Sequence, residues 1–425
     1  MTANTIHIPY GHTKLPLEPD FISWELVEPA VQAVKPSCDE TELVKLAMES
    51  PIGTPRLEIL AKGKKNAVIL LSDHTRPVPS KIILPPMLKA LREGEPDIHI
   101  TLLVSTGCHR ETTVEELRSK LGDGILTKEK IVIHDCDDSE NMVCAGTLPS
   151  GAALWVNRLA ADAELLLAEG FIEPHFFAGF SGGRKSVLPG ICARKTVMAN
   201  HCAGFIDSPC ARTGNLEDNP IHRDMIAAAR MVNLRYIVNV ILNREKQIIH
   251  AVAGDAEQAH LRGCEILRGE CGVFPRQKGD VVITSNGGAP LDQNIYQVVK
   301  ALSTAEKAAA EEAVLIVCAE CADGTGGDDF YRAMKDCVSP GELLMKIRET
   351  APDETVPDQW QYQILCRILE KHRVIFVTRS SLKDIINEMK MEYSDSLEHA
   401  AAAAMGSDFQ KHVVVIPDGV STMVL

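Results

Sequence analysis

The chain has 425 residues, a formal net charge of −14, and 45% hydrophobic, 24% charged and 4% aromatic residues. That length exceeds one typical core and predicts two domains, packed mainly with Val, Ile, Leu and Ala. The negative balance opposes non-specific binding to nucleic acid or anionic membrane, and the lack of a leader pattern or of an apolar run long enough to span predicts a cytoplasmic protein with no membrane segment.

The opening IHIPYGHTKLPLEP reads as two short strands joined at Gly11, a β-hairpin capping the first domain. Strands are predicted over 67–71, 98–104, 130–134, 164–168 and 235–242, with helices over 81–92, 113–121, 220–231 and 257–268. Pro85 and Pro86 sit best in a helix's first turn. Around 269–279, GECGVFPRQKG loses periodicity and collects glycine, proline and charge, so the domain junction is placed there: 1–270 form the first domain and 271–425 the second, whose last helix or strand is free to cross back. Further strands are predicted over 280–284, 313–317, 374–378 and 413–416, with helices over 295–309, 360–371 and 382–389 and a last helical segment holding the alanines of 400–404. The alternation is that of β-α units, so the fold class is α/β: two domains, each a mainly parallel sheet flanked by helices, with an active-site cleft between them.

Ligands of open α/β sheets gather beyond the carboxyl ends of strands. Here those ends read SDHTR at 72–76, STGCH at 105–109, Glu169 onward, and SNGG at 285–288. His74 and His134 read as ordinary surface or core histidines. The stretch EGFIEPHFFAGFSGGRKSVLPGICARKTVMANH, 169–201, is denser in chemistry: His175 lies ten residues before Lys185 and His201 sixteen after it. A bend at Gly179, Gly182 and Gly183 would bring all three to one cleft, with glycine letting backbone approach a ligand. GFSGGRKS is not a nucleotide-hydrolysing P-loop, because Arg184 stands where a glycine should precede the lysine. Its amides and the adjacent cations Arg184 and Lys185 still suit an anion. Thirteen scattered cysteines fit reduced thiols, and the single C-x-x-C, Cys318 to Cys321, has no second pair to complete a zinc site. A zinc hydrolase using His175 and His201 lacks a tight ligand set.

Taken together, SDHTRPVPS at 72–80, STGCHR at 105–110, EGFIEPHFFAGFSGGRKSVLPG at 169–190, the ANH ending at His201 and LDQNIYQVVK at 291–300 resemble the nickel-dependent lactate racemase family. The resemblance implies a two-domain enzyme that holds a nickel pincer nucleotide, a pyridinium mononucleotide with two sulfur-bearing arms, joined to Lys185 through a thioamide. It implies His201 as the protein ligand to nickel and His109 and His175 as the acid-base pair. Arg76, Gln297, Lys300 and Trp360 would hold the substrate; Asp73, Ser181, Gly182 and Gly183 would bind the cofactor, Asp73 at ribose hydroxyls and the others near the phosphate. The expected reaction is racemisation of a 2-hydroxy acid, lactate first, with malate or a longer or sugar-derived acid as alternatives and a non-catalytic nickel-nucleotide or anion-binding protein as the competitor from another class. Accessory proteins that assemble the cofactor are the implied partners.

Overall fold

The computed structural model describes residues 5–29 and 34–425. Among these the chain divides into two compact units, one drawn from Met1–Ala30, His201–Pro209 and Cys271–Leu425, the other from Val31–Asn200 and Cys210–Glu270. The fold is the expected parallel-sheet α/β class, and each expected strand forms within a few residues of its forecast.

The unit that carries Lys185 is built on six strands in the spatial order Ile248–Gly254, Leu234–Leu242, Leu166–Phe171, Asn66–Ser72, His99–Ser105 and Lys130–Ile133. All pairings are parallel except that of the Ile248–Gly254 edge strand. NAVILLS and LLAEGF are apolar without alternation because central parallel strands are covered on both faces. The helix Ser80–Gly94 covers one face with Ile83, Leu84, Met87, Leu88 and Leu91. Pro85 and Pro86 lie inside this helix, not in its first turn. Burying an apolar side chain fully is worth about 1.5–3 kcal/mol, so five of them outweigh the roughly 3 kcal/mol that each of the two interior prolines costs. Ser72 pairs with Ser105, and Leu70 with Ala168, so the loops that follow these three strands emerge on one edge.

The C-terminal unit has a second six-stranded sheet, parallel throughout, in the order Glu392–Ser394, Arg373–Val377, Ala309–Cys318, Gly279–Ser285, His412–Ile416 and Ser23–Leu26. Its edge strand comes from the start of the chain. The hairpin of Ile6–Tyr10 and Thr13–Leu17 forms as expected, but it belongs to this unit and not to the first: Ile6, Ile8 and Leu17 share a core with Val281, Ile283 and Val413. Local alternation reveals a hairpin; it carries no information about which sheet will receive its apolar face. The segment His201–Pro209 also groups here, its Ala203 carbonyl accepting from Gln363 Nε2 at 2.9 Å and its Asp207 pairing with Arg348 at 2.6 Å. The first unit therefore lacks two segments that the 1–270 assignment gave it. No helix among the described residues is long and apolar enough to cross a membrane.

Ile8 is fully buried among residues of the C-terminal sheet. Ile8→Ala should lower stability by about 2–5 kcal/mol, read by urea denaturation, with the loss falling on the transition of the C-terminal unit; a loss confined to the other unit would contradict this packing.

Candidate active site

The sheet edge of the Lys185 unit presents two histidines held in different ways. Asp73 follows the Asn66–Ser72 strand, is 2% exposed, and accepts from His109 Nδ1 at 2.6 Å through Oδ2. Its Oδ1 accepts from the amide and hydroxyl of Thr75 at 3.1 and 2.7 Å. Burial pushes the Asp73 carboxyl up, but the hydrogen bond and charge of His109, the Thr75 hydroxyl and the Arg76 charge outweigh it and leave it at about 2. An ionised carboxylate only accepts, so a proton of His109 sits on Nδ1, and in the neutral ring Nε2 is the nitrogen that carries the lone pair. Both Asp73 oxygens thus have partners within the protein, and Asp73 orients His109. Arg76, half-buried, stands three residues on and lends its charge to this cluster.

His175 is set the opposite way. Its Nδ1 accepts from the Ala178 amide at 3.2 Å, and its Nε2 lies 3.0 Å from Lys185 Nζ. A neutral ring has one proton, and an Nδ1 that accepts leaves it on Nε2. Phe177 lies edge-on to the ring at 4.5 Å and Phe176 is stacked at 5.1 Å.

The loop between these two side chains is organised by Arg184, which is 1% exposed. Its Nη1 donates to the Phe180 carbonyl at 2.8 Å and its Nη2 to that of Ala178 at 2.8 Å. Nε donates to His222 Nδ1 at 3.0 Å, and Nη1 also reaches His260 Nε2 at 2.9 Å. Burial lowers Arg184 to about 10, so it stays charged at neutral pH. Burial, then the Arg184 charge, lowers His222 to about 3 and His260 well below its ordinary value, keeping both neutral. Arg184 is therefore a scaffold cation, not the ligand-facing one that its place beside Lys185 suggested.

The glycines tell the same story. Gly182 and Gly183 have φ of 77° and 51°, and a Cβ there would meet Asn239 Oδ1 and the His260 ring, each at 2.8 Å. Their missing side chains make room for protein. Ser181 Oγ donates to the Phe171 carbonyl at 3.1 Å and accepts from the Glu173 amide at 2.8 Å, and the Gly183 amide donates to Asn239 at 2.8 Å. Those hydrogen bonds pin the bend that aims Lys185. A hydrogen bond of 2.9 Å from the Gly107 amide to the Gly190 carbonyl then laces the loop of His109 to that of Lys185.

In the C-terminal unit, Gln297 and Lys300 lie on the helix Ile295–Ala308, partly exposed and three residues apart, and so share a face. Trp360 donates through Nε1 to Tyr296 Oη at 3.2 Å, and its ring meets His201 edge to face at 5.0 Å. His201 is 5% exposed and groups with this unit, not with the one holding His175 and Lys185. Tyr296 was not singled out from sequence; its signal was its place beside Gln297. His134 is a satisfied core histidine, with Nε2 at 3.1 Å from the Cys192 carbonyl. Cys318 and Cys321 are buried, which pushes both thiols up and keeps them protonated.

Residues 10–214 match the family model for the lactate racemase N-terminal domain, and residues 274–424 that for the lactate racemase C-terminal domain. The lactate racemase of Thermoanaerobacterium thermosaccharolyticum is 49% identical over 423 residues, 99% of each chain; that of Lactiplantibacillus plantarum is 49% identical over 386 residues, 91% of each. The solved apoprotein of the Thermoanaerobacterium enzyme superposes with a TM-score of 0.95 at 48% identity, covering 99% of this chain and 100% of that one. A Thermotoga maritima protein of solved structure shares the fold alone, with a TM-score of 0.65 at 18% identity over 94% of this chain and 100% of its own. The protein is thus an α/β isomerase of the racemase class. It belongs to the lactate racemase family.

Asp73 is held at about 2, below its ordinary 3.8. A depressed carboxylate stabilises the fold above its unfolded value and loses that contribution as pH falls through the folded one, here between about pH 4 and pH 2. Asp73→Asn should therefore cost about 2 kcal/mol at pH 7, with the gap to the parent chain closing toward pH 2; denaturation curves at both pH values measure it.

Proposed function

We propose that this chain interconverts the D and L forms of a small 2-hydroxy acid, lactate first, in the cytoplasm. The observation that carries this reading is the contrasting hydrogen bonding of two imidazoles on one sheet edge: Asp73 accepts from Nδ1 of His109, which in the neutral ring leaves the lone pair on Nε2, and Ala178 donates to Nδ1 of His175, which in the neutral ring leaves the proton on Nε2. Inverting a hydroxyl-bearing carbon needs a group that accepts the hydroxyl proton and another that returns one to the flattened keto form. Two rings fixed in complementary states supply both, and such assistance is typically worth about 10²–10⁴-fold. A protein that merely stored a nucleotide would have no use for the pair.

The residues fit the cofactor that the family resemblance implies. Lys185 would hold a nickel pincer nucleotide by its primary amine, which stands within hydrogen-bonding distance of His175, and His201 would ligate nickel through an imidazole nitrogen, a donor suited to that metal. When bound, the group supplies the hydride acceptor that no amino-acid side chain offers. Arg76 would grip the substrate carboxylate through a bidentate fork, with Gln297 and Lys300 as further polar contacts and Trp360, held by Tyr296, as an aromatic wall. The relatives named lactate racemase support lactate as first substrate. Accessory proteins that build the nucleotide would be the partners in maturation.

Chiral chromatography of L-lactate after incubation with protein matured alongside those accessory proteins should give both enantiomers. His109→Ala should keep the Lys185 adduct, seen as added mass, and lose at least about 10²-fold in kcat; Lys185→Ala should lose the adduct. Normal racemisation by His109→Ala would defeat the two-imidazole reading.

A further inference from the structure

We propose that Cys108 and Cys136 form a reversible thiol–disulfide site that governs the placement of His109. Its bearing on catalysis rests on the reading of His109 as an acid-base group; its sulfur chemistry does not. The two cysteines stand on neighbouring loops of the sheet edge, and the backbone fixes their approach. Val104 pairs with Ile133 in the parallel ladder, and the His134 amide extends it by donating to the Val104 carbonyl at 3.1 Å. Thr106 Oγ1 then donates to the His134 carbonyl at 2.5 Å. Each cysteine lies two residues beyond that contact, and the two thiols are hydrogen-bonded to each other. Cys136 is buried and Cys108 half-buried, so a small oxidant reaches the pair from the Cys108 side.

Arg194 braces the second loop. Its amide donates to the Cys136 carbonyl at 3.1 Å, and its guanidinium grips Asp137 at 2.8 and 2.7 Å. The hydrogen bond from Cys108, helped by the Arg194 charge, holds the Cys136 thiol below its ordinary range against burial and the charges of Asp137 and Asp135, and pushes Cys108 up. A thiolate is the reactive form. Toward hydrogen peroxide, a thiolate of the pair forms an S–O bond as the O–O bond breaks, and the departing hydroxide takes up the proton that the thiol released, giving water. The second sulfur then forms the S–S bond as the S–O bond breaks, and the oxygen leaves as a second water with the remaining thiol proton. Each sulfur gives up one electron and the peroxide gains two; a dithiol reverses the change by exchange.

A disulfide holds its sulfurs about 2.05 Å apart, closer than hydrogen-bonded thiols, so closing it draws Cys108 toward the 134–137 loop. The strand His99–Ser105 lies between Asn66–Ser72 and Lys130–Ile133. Asp73 and Cys136 therefore flank the His109 loop from opposite sides, and a pull toward Cys136 is a pull away from the carboxylate that holds His109 Nδ1 at 2.6 Å.

Titration of the full-length apoprotein with hydrogen peroxide, followed by alkylation of free thiols and peptide mass spectrometry, tests the site. The Cys108 and Cys136 peptides should become linked with the loss of two hydrogens while the exposed Cys38 and Cys144 stay open to alkylation, and dithiothreitol should part them. Ring resonances of the histidines, with that of His109 identified by its loss in His109→Ala, test the consequence. The His109 signal should move on oxidation and return on reduction, while that of His399 stays in place; in Cys136→Ser peroxide should leave both unmoved. If Cys108 and Cys136 are still alkylated at a peroxide level that oxidises Cys38 and Cys144, the proposal is overturned without any variant having to fold. A linked pair with an unmoved His109 signal overturns its hold on His109.

Discussion

A single buried guanidinium underlies the geometry of this molecule's chemistry. Arg184 reaches the carbonyls of Ala178 and Phe180 and two neutral imidazoles, and is 1% exposed. Without it the Phe180 carbonyl would lose this partner in a dry interior, at about 1–3 kcal/mol, and the Ala178 carbonyl would keep only the Phe180 amide at 3.0 Å. With it, the chain from 178 to 184 is tied back on itself, and the next residue in line is the lysine. Ala178 belongs to the same knot, and its amide orients His175. One cation thus fixes both the backbone that aims Nζ and the backbone that selects which nitrogen of His175 bears hydrogen.

The two imidazoles gain opposite character from ordinary partners. A carboxylate accepts from Nδ1 of one, and a peptide amide donates to Nδ1 of the other. Neither device is costly, because each partner needed its own hydrogen bond in any case. The parallel register of 66–72 with 99–105 then brings the carboxylate and its histidine, which lie on different strands' loops, to one place.

Much of this was legible in the residues and some was not. Central parallel strands declare themselves as unbroken apolar runs, which is why 66–72 and 166–171 were found, whereas the edge strand 248–254 and the short 392–394 carry weaker patterns and were missed. The blocks around His109, His175 and Lys185 drew attention to residues that fall on loops at one sheet edge. What sequence could not convey was direction. Arg184 and Lys185 are neighbours of equal charge, yet one points into the core and the other lies within reach of a histidine. The glycines announced a need for space, but the neighbour that fills it, His260 beside Gly183, lies far along the chain. Nothing local predicts that Asp73 would hold His109, 36 residues on.

The strand Ser23–Leu26 pairs with His412–Ile416, so the C-terminal sheet is bordered by a piece of the polypeptide that lies far upstream of its partner. Ribosomal synthesis delivers that partner much later, and the earlier segment has to wait while the intervening chain emerges. Its sheet also has no natural cut point: a fragment beginning after residue 270 would leave 412–416 with a bare ladder of amides and carbonyls, the kind of open border on which foreign strands assemble into aggregates.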